Sequence, residues 1–331
     1  MKIVLPGGTG LIGTTLARAF ARDGHKVTVL GRRPAPSSQW TTLAWTPTAL
    51  GPWTTELEGA DAVINLAGRS VNCRYTPENR KQIMDSRVLS TRLVGEAIRR
   101  CRKPPRTWLQ SSTATIYSHR YDAPNDEETG ILDEPGFNAP DTWKFSVDVA
   151  KSWEREANEC VLPDTRKVLL RTAIVLSPES GGAFDILLRL VRYGLGGQAG
   201  DGRQFVSWIH DEDVVRAIYW LLAKDSIQGA VNLAAPNPVP NGEFMRTLRE
   251  EWGVRVGLPA PEWLLEIGAR LIRTETELIL KSRRVVPGIL TGSGFTFDFP
   301  GWREGARDLC QRWRRLTRAK IRTGETPAVV R

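Results

Sequence analysis

Two periods of apolar residues alternate along the first half of this chain. Runs such as Lys2-Ile3-Val4-Leu5 and Lys26-Val27-Thr28-Val29-Leu30, and residues 61–66, 107–112 and 167–175, read as buried strands; a shorter one is expected near 42–45. Between the runs the apolar spacing becomes helical. Leu11, Ile12, Leu16, Ala17, Phe20 and Ala21 predict a helix over Leu11–Arg22, with Gly24 as its stop. Ile83, Val88, Leu89, Leu93, Val94, Ala97 and Ile98 predict a longer one over 77–101, and 142–160 is helical again. Strands alternating with helices at these lengths predict an α/β protein: a Rossmann-type, doubly wound parallel sheet with right-handed crossovers.

Beyond about residue 176 the alternation loosens. Helices are expected over 183–193 and 211–222, and strands over 205–209 and 231–234, with the glycine-rich stretch 194–202 between. The expected organisation is a Rossmann domain over 1–175, rejoined by about 203–234. A smaller C-terminal α+β lobe would take 176–202 and 235–316. Residues 301–316 predict a basic amphipathic helix, with Trp302, Leu309, Trp313 and Leu316 on its apolar side and a solvated arginine face. From Thr317 periodicity stops, so 317–331 is expected to be a disordered tail.

Chemistry concentrates where the first strand meets the first helix. Gly7-Gly8-Thr9-Gly10-Leu11-Ile12-Gly13 places glycines three residues apart. Strand, glycine turn and helix form a phosphate cradle, because first-turn N–H groups and the helix dipole favour an anion while glycines leave room for its approach. A glycine triplet alone is a weak signal; the second strand, at the distance a βαβ unit requires, strengthens it. That strand ends in Gly31-Arg32-Arg33. An NAD binder usually has a carboxylate there for the ribose hydroxyls, whereas guanidinium groups suit a 2′-phosphate. The expected cofactor is therefore NADP(H), with Arg32 ahead of Arg33.

Composition narrows the remaining classes. The chain has 331 residues, a net charge of +9 and no apolar run approaching a membrane span. With the first strand starting at residue 2, no signal peptide is expected. Cys73, Cys101, Cys160 and Cys310 lack metal-ligand or C-x-x-C spacing and suit reduced thiols in a cytoplasmic protein. Three histidines and no Cys/His cluster give no metal signal. The arginines are dispersed, which argues against a nucleic-acid module and suits an anionic cofactor or small-molecule substrate.

Together with Asn65-Leu66-Ala67-Gly68, these features resemble the extended branch of the short-chain dehydrogenase/reductase superfamily, which includes nucleotide-sugar epimerases. Ser111-Ser112-Thr113-Ala114-Thr115-Ile116-Tyr117 is similar to the end of the fifth strand in that branch, and Gly200-Asp201-Gly202-Arg203-Gln204 through Trp208-Ile209-His210-Asp211-Glu212-Asp213 to its late pocket segment. Trp153-Glu154, Leu170-Arg171-Thr172, Leu258-Pro259-Ala260-Pro261, Ser282-Arg283-Arg284-Val285-Val286-Pro287 and Gly294-Phe295-Thr296-Phe297 resemble an epimerase-like family of oxidoreductases with a C-terminal domain of unknown function. The resemblance implies cofactor contacts from Gly7, Thr9, Gly10, Leu11, Ile12, Gly13, Arg32, Arg33, Asn65, Ala67, Gly68 and Ser112. In related proteins the helices at 77–101 and 142–160 form a dimer interface; here a homodimer or internal packing would each use their apolar faces.

One feature of the superfamily is missing. Its reductases use Tyr-x-x-x-Lys as a proton relay, the lysine lowering the phenol pKa. Here the five tyrosines (Tyr75, Tyr117, Tyr121, Tyr193, Tyr219) are followed four residues later by Asn79, Tyr121, Asn125, Gly197 and Ala223. Candidate substitutes are Thr113 to position a carbonyl, and Tyr117 or His210 to carry a proton, His210 oriented by Asp211 or Asp213. Structural roles compete for each: a wall aromatic for Tyr117, a buried hydrogen bond for His210, a helix cap for Asp211. Arg171 and Arg203 suit an anionic substrate or structural ion pairs. Two functions follow: an oxidoreductase or epimerase-like enzyme with a rearranged relay, or a non-catalytic NADP(H)-binding redox-sensing or regulatory module.

Overall fold

The computed structural model describes residues 1–33, 35–261 and 281–323. The chain divides into two compact units, neither continuous in sequence. The first comprises 1–116, 132–172 and 215–232; the second comprises 117–131, 173–214 and 233–331.

The first unit is built on a seven-stranded sheet. Its strands are β1 (Lys2–Pro6), β2 (Lys26–Gly31), β3 (Thr41–Ala44), β4 (Ala62–Asn65), β5 (Thr107–Thr113), β6 (Arg166–Thr172) and β10 (Gly229–Leu233), in the order β10-β6-β5-β4-β1-β2-β3. Parallel pairing runs from β3 to β6, with Val4 opposite both Thr28 and Val63. The order reverses at β1, and that reversal opens a crevice at the carboxyl ends of β1 and β4. Residues such as Val4, Leu30, Val63 and Leu169 form a core with Trp53 and Trp108, as expected for strands covered on both faces.

Three helices follow from local chemistry. Helix α1 (Leu11–Arg22) buries Gly13, Leu16, Ala17, Ala19 and Phe20, and Gly24 past its end takes φ +78°. Helix α2 (Pro77–Arg99) starts with Pro77 and with Thr76 as a cap accepting the Asn79 N–H at 3.3 Å. Helix α3 (Asp141–Glu159) packs on α2. The Trp153 indole donates to Thr91 Oγ1 at 3.0 Å, and Gly95 lies so near Cys160 that an added Cβ would sit 2.4 Å from its sulfur.

The second unit combines helices with two small sheets. β7 (Ile174–Leu176) pairs parallel with β9 (Trp208–His210), and β8 (Phe205–Val206) pairs antiparallel with β11 (Val239–Pro240). Around them stand α4 (Ala183–Arg192), α6 (Asn241–Trp252), α7 (Gly288–Gly292) and α8 (Trp302–Thr323). Trp302 stacks on Phe244 at 4.0 Å and meets Trp208 edge-on at 5.0 Å, forming the centre of this core. Helix α5 (Asp211–Ala223) begins in the second unit and ends in the first.

The structure revises three expectations. Residues 203–214 belong to the second unit, so the chain rejoins the first at Val215; β8 and β9 pair with β11 and β7, not with the large sheet. The strand expected over 205–209 is two strands broken at Ser207, whose hydroxyl accepts the Val285 N–H at 2.8 Å. The tail expected from Thr317 is helical to Thr323, since arginine, lysine and alanine extend an established helix at little cost; residues 324–331 lie outside the described residues, as do residues 262–280 of the expected C-terminal lobe. The basic face of α8 is partly matched from within: Arg303 and Arg307 pair with Glu250 and Glu251 of α6. No helix among the described residues is long and apolar enough to cross a membrane.

Candidate functional site

The glycine turn between β1 and α1 has three distinct steric roles. Gly7 takes φ +72°, and a Cβ there would lie 2.5 Å from Ala67 Cα and N. Gly13 packs the helix onto the turn; its Cβ would lie 2.4 Å from the Gly8 backbone. Gly10 faces open space, with nothing within 4 Å of an added Cβ. It is the N-cap residue of α1, whose first turn has no side-chain cap and no acidic residue. The N–H groups of Leu11, Ile12 and Gly13 have no intrahelical acceptor, so the positive end of the helix stays open to an anion. The arrangement is a cradle shaped for a diphosphate.

Neighbouring strands complete the rim. A Cβ on Gly31 would strike Thr9 Cγ2 at 2.4 Å, so β2 ends in glycine because Thr9 rests on it. Arg32 and Arg33 follow, both exposed, and neither makes an ion pair or hydrogen bond among the described residues. Asn65 shapes the end of β4 from inside. It is fully buried, donates to Gln110 Oε1 at 2.9 Å and accepts the Ala67 N–H at 3.1 Å. Ala67 is buried against the turn and Gly68 is exposed beyond it.

At the end of β5 the hydroxyls divide. Ser112 is committed inward, donating to Glu154 Oε1 at 2.6 Å, and Arg171 grips the same carboxylate in a fork at 2.8 and 2.8 Å. The Ser112 side chain therefore serves a buried ion pair and not a cofactor contact, and Arg171 is a structural partner. Thr113 is half-buried; its hydroxyl donates to Thr115 Oγ1 at 3.0 Å. On α3, Lys151 pairs with Glu134 at 2.5 Å.

Tyr117 and His210, expected as proton carriers, lie in the second unit with no exposed surface. Tyr117 packs where a Cβ on Gly130 would come within 2.8 Å of its ring. His210 stacks on Phe299 at 3.8 Å. Its Nδ1 lies 3.2 Å from both the Glu212 N and Asp211 Oδ1, and its Nε2 lies 3.1 Å from Asp308 Oδ2. Asp211 is held in a fork by Arg312 at 2.7 and 2.9 Å, and Asp213 accepts the N–H groups of Asp298 and Phe299, each at 2.9 Å. This is a structural hub tying residues 208–213 to 298–312. Both imidazole nitrogens are engaged and Tyr117 is fully buried, which favours the structural roles weighed for His210 and Tyr117. Arg203 is exposed, with its guanidinium 5.9 Å from the Tyr121 ring centroid.

Sequence reading missed two cations at the end of β4. Arg87 of α2 lies over the Trp153 ring at 5.0 Å and donates to the carbonyls of Arg69 and Ile83 at 3.0 and 3.1 Å. Burial pulls its guanidinium down to about 10. Arg69 Nη1 is buried with no hydrogen-bond partner. The helical period contained the clue: Arg87 falls on the stripe Ile83, Ser90, Thr91, Val94 that α2 buries.

Comparison with known proteins places this architecture. The model of the NAD dependent epimerase/dehydratase family matches residues 3–234, and that of a domain of unknown function (DUF1731) matches 260–309. The human epimerase family protein SDR39U1 is 31% identical over 305 residues, covering 91% of this chain and 96% of that protein. YfhF of Bacillus subtilis is 31% identical over 306 residues, covering 90% and 94%. A crystal structure of human SDR39U1 (isoform 2) with NADPH superposes with a TM-score of 0.79 at 28% identity, covering 94% of this chain and 99% of that one. MoeE5 in complex with UDP-glucuronic acid and NAD shares the fold, with a TM-score of 0.75 at 20% identity and coverage of 96% and 100%. Glycine turn, parallel sheet and matched length agree with the resemblance read from the motifs: the chain belongs to the NAD dependent epimerase/dehydratase family.

Proposed function

We propose that the first unit binds NADP(H), with the diphosphate at the amino end of α1 and the 2′-phosphate at Arg32 and Arg33. The observation that carries this reading is the pair of exposed guanidiniums without partners among the described residues, set directly after the strand beside an open glycine cradle. A guanidinium free of internal ion pairs is available for charge-assisted bonds to a phosphate. The human relative crystallised with NADPH supports the same choice. Calorimetric titration with NADPH and NADH tests it. The expected result is tighter binding of NADPH, with the preference reduced by about tenfold or more in Arg32→Ala/Arg33→Ala. Equal affinity for both nucleotides in the unaltered protein overturns it.

On this reading the protein is an oxidoreductase or epimerase-like enzyme acting on a small molecule. NADP(H) supplies hydride chemistry when bound. The chain binds and orients, and Thr113, half-buried at the end of β5, is the hydroxyl that would hold a carbonyl oxygen, giving up its bond to Thr115 Oγ1 when substrate binds. The absence of Tyr-x-x-x-Lys favours a second reading, a module that binds NADP(H) and reports its redox state. Turnover of NADPH with a panel of carbonyls, quinones and nucleotide sugars separates the two. Turnover lost in Thr113→Val supports the enzyme; tight binding with no turnover supports the module.

A further inference from the structure

The first unit contains two cations that have no carboxylate partner among the described residues. Arg87 has only backbone carbonyls and an aromatic ring as partners. The titratable groups near enough to raise its pKa are Tyr75 and Cys73, neither of them a carboxylate. Arg69 adds a guanidinium nitrogen that is buried and unbonded. The two are built into one wall: Arg87 Nη1 holds the Arg69 carbonyl, and the Arg69 N–H donates to Ser86 Oγ at 2.9 Å, one residue from Arg87. Gly68 leaves space for this, since a Cβ there would lie 3.3 Å from Arg87 Cζ. In the same unit a buried guanidinium that serves the fold alone has its own carboxylate, as Arg171 has Glu154. A buried guanidinium left unbonded is costly unless something else occupies the site.

We propose that Arg69 and Arg87 form an oxyanion site that holds a carboxylate or phosphoryl group of the substrate. Location separates this pair from the cofactor's phosphates. The α1 amino end and Arg32/Arg33 already provide for the diphosphate and the 2′-phosphate, on β1 and β2. Arg69 and Arg87 follow β4, on the side of the sheet order toward β5 and Thr113. Ala67, two residues before Arg69, touches the glycine turn, so the site adjoins the cradle. The substrate class is thus an oxyanion-bearing small molecule. This assignment rests on the NADP(H) reading for the word substrate; the anion site itself does not.

The test uses the full chain and two probes, inorganic phosphate and acetate, at constant ionic strength. Saturating NADPH blocks the cradle and the Arg32/Arg33 site, and the measurement is repeated in Arg32→Ala/Arg33→Ala. Thermal unfolding of the unaltered protein is expected to rise saturably with one or both probes. In Arg69→Met the response falls by about tenfold or more in probe affinity, while the melting temperature without probe is unchanged or higher. Arg87→Lys, which keeps charge and loses the fork, weakens the response without abolishing it. A probe response identical in Arg69→Met and the unaltered protein overturns the proposal. So does Arg69→Met melting lower with no probe response in the unaltered protein, which marks the pair as structural. Competition between probe and NADPH assigns the site to the cofactor and overturns the substrate reading. A probe response that survives with no NADPH affinity supports the site and sinks the cofactor proposal alone.

Discussion

Alanine at Gly10 and alanine at Gly13 should separate binding from folding within one turn of chain. Gly10 has φ −82° and ψ 178°, extended backbone that alanine adopts freely, and its added Cβ meets nothing within 4 Å. Alanine is a poorer N-cap than glycine by about 0.5–1 kcal/mol. It also restricts the unfolded chain, which returns about 0.4–1 kcal/mol. These terms cancel, so Gly10→Ala should unfold within about 0.5 kcal/mol of the unaltered protein. Its methyl group, however, stands where a phosphate must approach the Leu11 and Ile12 N–H groups. Losing or lengthening one such charge-assisted bond costs about 1.5–3 kcal/mol, or roughly 10- to 100-fold in affinity. Gly13→Ala has the opposite profile. Its Cβ would sit 2.4 Å from Gly8 Cα, where carbon atoms need about 3.5 Å or more. Overpacking of this kind costs about 1–3 kcal/mol, at the upper end here because the clash is with backbone; better helix propensity returns about 1, which leaves a net loss of about 2 kcal/mol. Urea unfolding followed by circular dichroism measures the stability side, and fluorescence titration with NADPH measures the binding side. Gly10→Ala binding NADPH within about twofold of the unaltered protein would refute the cradle assignment; Gly13→Ala unfolding at the unaltered midpoint would refute the packing argument.

Three further outcomes follow from the interior. Arg171→Met strands the buried Glu154 carboxylate with only Ser112, and should cost about 3–5 kcal/mol in urea unfolding; a loss under about 1 kcal/mol contradicts the ion pair's structural role. Burial pushes the Asp308 carboxyl upward, but the His210 hydrogen bond and Arg312 outweigh it and hold it below its ordinary 3.8. Its stabilising contribution is therefore complete above pH 3.8 and lost as the pH falls through the lower folded value, so Asp308→Asn should flatten that part of the acid limb of a stability-against-pH curve. Burial raises the Cys310 thiol to about 12, so mass spectrometry after alkylation of the native protein at neutral pH should find Cys73 modified and Cys310 untouched.

How far the sequence alone reached depends on how local each determinant is. The alternation of apolar periods determined the parallel sheet, α1 to α3 and the glycine turn, because strand burial and helix amphipathicity are written into neighbouring residues. Arg32 and Arg33 were legible for the same reason: they follow the end of β2 directly. Tertiary structure decided what each polar side chain near the site is for. His210 had an imidazole and acidic neighbours, yet Phe299 and Asp308, 89 and 98 residues away by sequence number, stack on it and engage Nε2. Ser112 sits at the expected strand end, but Glu154 and Arg171 turn it inward. Arg69 and Arg87 carried no motif, and what singles them out is that neither has a carboxylate partner among the described residues. Hydrogen bonds and desolvation depend on distances between segments far apart in the chain, and the periodicity of a single segment contains no term for them.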